Sequence, residues 1–338
     1  MNKCLFATVL TYPAPSANYR GESEENRSVI QKITDGRFEY AVMSPESMRE
    51  ALRKMLRGYG LPSNRERLHN EEQLAVRFIE VHDPTKYVDD WAFGYLLALK
   101  EAQRKEVIEK THNPAYRFKR DSLLRMNLAR ALAPYRYNTL FTQSPQNKTE
   151  GWPREQGKKN DVVLLHRETS TSAFQYPFAF NLVDVFGEHT KTDEDGAEQK
   201  KWNVPGPDME VRRKWFSEML RAIAELTDVA GNHARSLFHM APASVVIRLT
   251  DRMVPGFNSY GFQVDDKGNV SLPEVIDGIK NGDYPGEQFY LGGVIVKQLS
   301  GADRAALGAK AVHLFRMGDQ ALAAASKDIT GIDFLDRK

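Results

Sequence analysis

The sequence predicts an α+β fold, built either as one large domain with insertions or as two domains. Three observations carry this. In a chain of 338 residues, hydrophobic residues make up 41% and charged residues 27%, which are globular values. Short β-branched or aromatic runs, bounded by Pro and Gly, recur from Leu5 to Leu299. Two longer segments, after Ser44 and after Asp208, place apolar residues at helical spacing.

Leu5 to Thr11 (LFATVLT) reads as a first strand. It stops at Tyr12-Pro13-Ala14-Pro15, because Pro cannot donate to a ladder. Residues 16–36 read as a polar loop closing on the turn signal Asp35-Gly36, and Phe38 to Met43 as a short extended segment. Ser44 supplies an N-cap and Pro45 the first helical position. Met48, Ala51, Leu52, Met55 and Leu56 then line one helix face before Gly58 and Gly60. Residues 61–125 are mixed and mostly helical in pattern, with an aromatic island from Asp89 to Leu96 and a charged, exposed extension from Lys100 to Lys110. Leu123 to Leu132 fits a strand or a buried helix.

Residues 136–173, punctuated by Pro145, Gly151-Trp152-Pro153 and Gly157, read as an extended hairpin or flap with a strand at Val162 to Leu165. In the next strand Phe174, Tyr176, Phe178 and Phe180 alternate with Gln175, Pro177 and Ala179, so the four rings share one face and are expected in the core. Residues 187–207 are a hydrophilic insertion. Asp208 caps a helix carrying Phe216, Met219, Leu220, Ile223 and Leu226. Ser244 to Leu249 and Gly293 to Leu299 are strand candidates, and an Ala-rich helix from about Ala302 is a packing element. Without the insertions the order is βαββαβ, the ferredoxin-like arrangement, which is also the scaffold of RNA-recognition modules.

No run approaches the roughly 18 apolar residues of a membrane span, and the N-terminus lacks a signal-peptide pattern, so a cytoplasmic protein is expected. The single cysteine, Cys4, excludes an internal disulfide framework and reads as a buried strand residue. Zinc spacing, Gly-x-Gly-x-x-Gly, Gly-Lys-Ser/Thr and Gly-x-Ser-x-Gly segments are all missing, so neither metal nor cofactor is expected. His166, His189, His233 and His239 and the cluster Glu22, Glu24 and Glu25 would have to supply any catalysis; they read more simply as solvated or core residues.

Net charge is only +2, but it is segregated. Between Tyr116 and Tyr137 lie Arg117, Lys119, Arg120, Arg125, Arg130 and Arg136 against one acid, Asp121. Such a segment is compatible with a local polyanion site. The loop Asn18-Tyr19-Arg20-Gly21-Glu22, followed by a helix with Arg49, Arg53 and Arg57 on a flank read as exposed, makes a plausible phosphate cradle. The turn Gly231-Asn232-His233-Ala234-Arg235-Ser236 offers three donors within one turn of a helix end, or simply caps that helix. Gln175, on the far face of the aromatic strand, is a further ligand candidate.

Taken in order, Asn18 to Glu22, Ser44 to Arg53, Asp90 to Leu96, Phe174 to Leu182, and Ala230 to Ser236 with Pro242 beyond resemble the CRISPR-associated DevR-type autoregulator family. Members of that family are the repeated backbone (RAMP-type) subunits of type I Cascade surveillance complexes, and a type I-B-like system is expected. The resemblance implies a modified RNA-recognition palm over 1–60, 121–134 and 174–300. It also implies a finger insertion at 61–120, a thumb β-hairpin at 135–173 and a C-terminal helical packing element at 301–338. Implied partners are CRISPR RNA, the target DNA strand through guide pairing, further copies of the chain along a helical filament, and other Cascade subunits, with no membrane. Carried over by position, Asn18, Tyr19, Arg20, Ser44, Arg49 and Arg53 would contact the RNA backbone. Asn232, His233 and Arg235 would make a second contact, with Gln175 as an additional one. Related subunits that cut target RNA use an aspartate in the first loop; residues 12–34 here contain none, so no nuclease activity is expected. The alternatives are a metal-independent RNA-processing endoribonuclease using His166 or His233, and a DNA-binding regulator, for which no helix-turn-helix signature speaks.

Overall fold

The computed structural model describes residues 3–17, 19–24, 27–67, 76–114, 116–143, 164–192, 198–202, 205–229 and 238–336. Among the described residues nine strands form the central sheet: β1 (Cys4–Thr11), β2 (Lys32–Asp35), β3 (Phe38–Met43), β4 (Leu124–Met126), β5 (Ala129–Ala131), β6 (Phe174–Asn181), β7 (Pro242–Thr250), β8 (Phe289–Gly293) and β9 (His313–Phe315). Their spatial order is β9-β8-β7-β1-β6-β5-β3-β2, with β4 pairing β6 beside β5. Every pairing is antiparallel except β8 with β9. β1 can occupy the centre because nearly all of LFATVLT is apolar or neutral, and both its faces are buried. The described helices are α1 (Pro45–Gly58), α2 (Val88–Phe93), α3 (Glu101–Thr111), α4 (Leu182–Phe186), α5 (Met209–Ala224), α6 (Pro273–Asn281), α7 (Val294–Lys297), α8 (Gly301–Ala309) and α9 (Gly318–Thr330).

One face of the sheet carries the main core. Leu5, Ala7 and Val9 of β1, the four β6 aromatics, and Val245, Ile247 and Leu249 of β7 pack under Met48, Leu52 and Leu56 of α1, Phe216, Met219 and Ile223 of α5, and Leu322 of α9. Phe180 meets Phe216 edge-on at 4.8 Å. Tyr176 is fully buried and keeps its hydroxyl paired by donating to the Met240 carbonyl at 2.9 Å. The expectation that these rings form core rather than a stacking platform is met.

The opposite face is half covered. Phe257, Phe262, Leu272, Val275, Ile279, Ile295 and Leu307 build a second cluster over Leu10, Val246, Phe289 and Leu291. The loop through residues 257–262 crosses the sheet and is tied down at three points. Thr8 donates to the Ser259 carbonyl (2.7 Å), Phe262 N–H donates to Gln175 Oε1 (3.3 Å), and the Tyr260 hydroxyl donates to the Leu128 carbonyl (2.7 Å). Beyond this loop Phe6, Pro177 and Ala179 remain partly open, beside exposed Arg125.

Several local expectations change. Residues 16–36 are not a loop: Tyr19–Glu24 and Arg27–Ile30 pair as a hairpin, and the second strand runs parallel to Leu164–Glu168, which pairs Thr139–Gln143. Pairing satisfies this backbone even though the sequence is polar. Within 61–125 only α2 and α3 are α-helical among the described residues; Arg65–Arg67 pairs Val76–Phe78, and Tyr95–Leu96 pairs Lys119–Arg120. Leu123 to Leu132 resolves into the short strands β4 and β5. The 187–207 insertion contains a hairpin, Glu188–Thr192 with Glu198–Trp202. β8 ends at Gly293, where a strand from Gly293 to Leu299 was expected to begin. Gly293 has φ +93°, which turns the chain into α7. The Ala-rich region is two helices, α8 and α9, separated by β9. By contrast, α3 has no buried residue and carries the i,i+4 pairs Glu101–Lys105 (3.5 Å) and Glu106–Lys110 (2.7 Å), as its composition predicts.

Candidate nucleic-acid interface

Strand register builds the site. Arg125 of β4 stands opposite Ala179 of β6, and Ala179 opposite Phe6 of β1, so the three form a row on the uncovered corner. Arg130 stands opposite Gln175. The two register points lie four positions apart along β6, so Arg125 and Arg130 share a face about 13 Å apart, at about 3.3 Å per residue. Arg130 is held by Asp35 (3.0 Å) and by the Tyr40 ring 4.2 Å from its guanidinium carbon. Arg125 is exposed and has no ion-pair partner among the described residues.

The row runs at one end into a cleft of about 980 Å³. Tyr116, Arg117, Lys119, Arg120, Arg125 and Asp184 are among the residues that line it. A buried polar network fixes its wall. Asp90 of α2 accepts from Asn64 Nδ2 (2.9 Å) and Asp83 N–H (2.9 Å) and lies 2.5 Å from His82 Nδ1. Asp89 accepts from Asn64 N–H (2.8 Å) and Ser63 (3.2 Å), and burial raises its pKa above the usual carboxylate value. Arg120 donates to the Asp90 and Trp91 carbonyls near the end of α2, the site where a cation suits a helix.

At the other end lies the root of the hairpin formed by Thr139–Gln143 and Leu164–Glu168. Glu168 is fully buried and accepts from Lys32 Nζ (3.2 Å) and Ile30 N–H (3.3 Å). The Lys32 ammonium sits 4.2 Å from the Tyr135 ring centre. Burial and then Glu168 push the Tyr135 phenol up to about 12. Exposed Arg136 follows. Residues 116–137, the most basic segment of the chain, thus run from the cleft along the β6 edge to the hairpin root. None of their cations was among the expected site residues, although the charge imbalance was already visible in the sequence.

The expected site residues fall into three groups. Asn18, Asn232, His233 and Arg235 lie outside the described residues, and Tyr19 and Arg20 lie in the strand Tyr19–Glu24. Ser44 caps α1, accepting from Ser47 N–H at 3.2 Å. Arg49, Arg53 and Gln175 are drawn inward. Arg49 donates to the Leu124 carbonyl at 3.4 Å, and burial lowers its pKa. The Arg53 side chain is only 12% exposed; its guanidinium lies 4.5 Å over the Phe93 ring, and burial followed by Arg65 lowers its pKa to about 10. The flank read as open is therefore packed against α2 and β4, leaving Arg57 as its exposed arginine. Gln175 is buried because the 257–262 loop covers it.

His166 is exposed, edge-on to Phe141 at 5.0 Å. Among the described residues no group of three His, Cys, Asp or Glu side chains could hold a metal ion, and no helix is long and apolar enough to cross a membrane.

No family model matches the sequence. The chain is 27% identical over 320 residues to the CRISPR-associated protein Cas7/Cst2/DevR of Myxococcus xanthus (strain DK1622), covering 93% of this chain and 94% of that protein. Two solved chains share its fold. One, from a CRISPR RNA-guided surveillance complex, gives a TM-score of 0.53 at 14% identity, covering 96% of this chain and 99% of its own length. The other, from a pre-nicking state of such a complex, gives 0.53 at 13% identity, covering 96% and 100%. The resemblance drawn from the residues is borne out.

Proposed function

We propose that this chain, a relative of the Cas7/Cst2/DevR protein, is a backbone subunit that binds guide (CRISPR) RNA. It repeats along that RNA with other surveillance-complex subunits and presents the guide for pairing with a target DNA strand. The observation that carries the reading is the basic 116–137 segment laid along the uncovered corner of the sheet, with Arg117, Arg125 and Arg136 exposed and unpaired among the described residues.

The elements β1, α1, β5, β6, α5 and β7, with strand order β7-β1-β6-β5, fit a ferredoxin-like palm. Residues 61–120 then serve as a finger and 135–173 as a thumb. This palm does not stack bases on its sheet as RNA-recognition modules do. Its aromatics face the helices, and the 257–262 loop crosses the other face. What remains is a cationic rim that grips phosphates without reading bases, leaving base edges free to pair. Asn18, Tyr19 and Arg20, with Asn232, His233 and Arg235, complete the grip in this reading; Arg49 and Arg53 support it from within.

Catalysis is not part of the proposal. The complex expressed with its neighbouring genes is expected to carry RNA and several copies of this chain. Arg117→Glu with Arg125→Glu is expected to yield folded protein depleted of RNA. Unchanged RNA content in the variant overturns the site, and a parent complex without RNA overturns the function.

A further inference from the structure

We propose that a β-bulge between β4 and β5, latched by the Tyr260 hydroxyl, turns Arg125 and Arg130 onto one face for the phosphate grip, so that Tyr260 is a positioning residue; this rests on the RNA-binding role above. The strand register holds the bulge. Met126 stands opposite Phe178 and Arg130 opposite Gln175, so three residues, Asn127, Leu128 and Ala129, span two on β6, Tyr176 and Pro177. The extra residue decides the face. Arg125 and Arg130 are five positions apart, and in a regular strand an odd spacing puts two side chains on opposite faces. With one residue bulged, both stand opposite β6 residues of the same face, Ala179 and Gln175. A slip that closed the bulge would carry one arginine to the face that α1 and α5 cover.

Pro177 explains why the bulge lies here. Asn127 N–H donates to the Pro177 carbonyl at 3.3 Å, so that edge of Pro177 faces β4. A regular pair would return a bond from residue 177, and proline has no N–H to give. Leu128 N–H turns instead to Asn127 Oδ1 at 2.8 Å, and the Leu128 carbonyl accepts from the Tyr260 hydroxyl at 2.7 Å. The loop that supplies this donor is fixed on its own account. Arg248 Nη1 donates to the Pro255 carbonyl (2.7 Å), the Tyr284 hydroxyl to the Gly256 carbonyl (2.7 Å), and Tyr260 N–H to Asn258 Oδ1 (2.9 Å). Burial pushes the Tyr260 phenol up to about 12, with Arg130 pulling the other way, so the hydroxyl keeps its proton at neutral pH. Asp35 and the Tyr40 ring hold the Arg130 guanidinium, and that side chain stays 28% exposed.

The test is a double-mutant cycle on the full chain, read as the salt slope of binding to a labelled single-stranded RNA. Arg130→Ala should lower the slope by about 0.7, the contribution of one phosphate contact. Tyr260→Phe, which keeps the ring and loses the hydroxyl, should lower it by up to that amount and speed amide exchange at residues 127–130. The two together should lower it by no more than Arg130→Ala alone. Thr8→Val is the control: it removes a different tether of the loop, the bond to the Ser259 carbonyl, so stability should fall while the slope holds. Equal slope losses in Thr8→Val and Tyr260→Phe reduce the hydroxyl to a structural role and overturn the proposal. Additive effects of Arg130→Ala and Tyr260→Phe overturn it too, as does faster exchange with an unchanged slope. In each of these cases RNA binding by the parent stands. A parent that binds no RNA overturns the RNA-binding role itself, and the proposal with it.

Discussion

Removing Arg117 and Arg125 together should flatten the salt dependence of RNA binding by a calculable amount. Each cation that neutralises a phosphate of a single strand contributes about 0.7 to the slope of log K against log salt. Neither arginine has an ion-pair partner among the described residues, so the double alanine variant loses phosphate contacts without freeing a buried acid. The slope should fall by about 1.4, so across a tenfold change in salt the variant loses about 25-fold less affinity than the parent. Fluorescence anisotropy with a labelled single-stranded RNA, titrated from about 50 to about 500 mM salt, measures this directly. The control is Arg213→Ala with Lys214→Ala, two exposed cations on α5, which covers the opposite face of the sheet. An unchanged slope in the first variant, or an equal fall in the control, refutes the placement of the interface.

Lys32→Ala should cost about 3 kcal/mol in urea unfolding, because it removes a cation bonded at 3.2 Å to fully buried Glu168; a loss below about 1 kcal/mol would show the pair is not structural. Arg53→Ala should lower stability by about 1 kcal/mol through lost packing on Phe93 while RNA affinity holds, and the reverse pattern would restore Arg53 to the interface. Gly293→Ala should abolish soluble expression: φ is +93° and the added Cβ would overlap the Ala243 carbonyl oxygen. Asp89→Asn tests linkage. Burial raises the folded-state pKa of Asp89, so its charge destabilises the fold at neutral pH and that cost fades as pH falls toward the unfolded value near about 4. The variant should therefore melt above the parent at pH 7, with the gap closing on acidification; a gap that widens contradicts the assignment.

The parts of the fold that were legible in the sequence are those whose side chains bury one face. β1, α1, β6, α5 and β7 each have a period-2 or helical apolar pattern, and each lies where the pattern puts it. Polar hairpins were not legible. Tyr19–Glu24 pairs with Arg27–Ile30 and Glu188–Thr192 with Glu198–Trp202, although their sequences leave no apolar alternation to read. Gly293 to Leu299 misled because GVIVK is β-rich by composition, whereas the backbone of Gly293 ends the strand. At the site, the rule that arginines face water failed for Arg53, since an aromatic face offers a guanidinium a second home. Gln175 failed for a different reason: its cover comes from a loop more than eighty residues away in sequence. The basic 116–137 segment was visible, but only strand register shows that it runs beside an uncovered face.

The central claim is that this chain grips single-stranded guide RNA along a cationic rim and continues that grip copy by copy. Native mass spectrometry of the complex purified with its genomic neighbours at low salt tests it most directly. The account predicts one RNA carrying several copies of this chain, with the RNA released as ionic strength rises. A monomeric chain free of nucleic acid under the same conditions would contradict it.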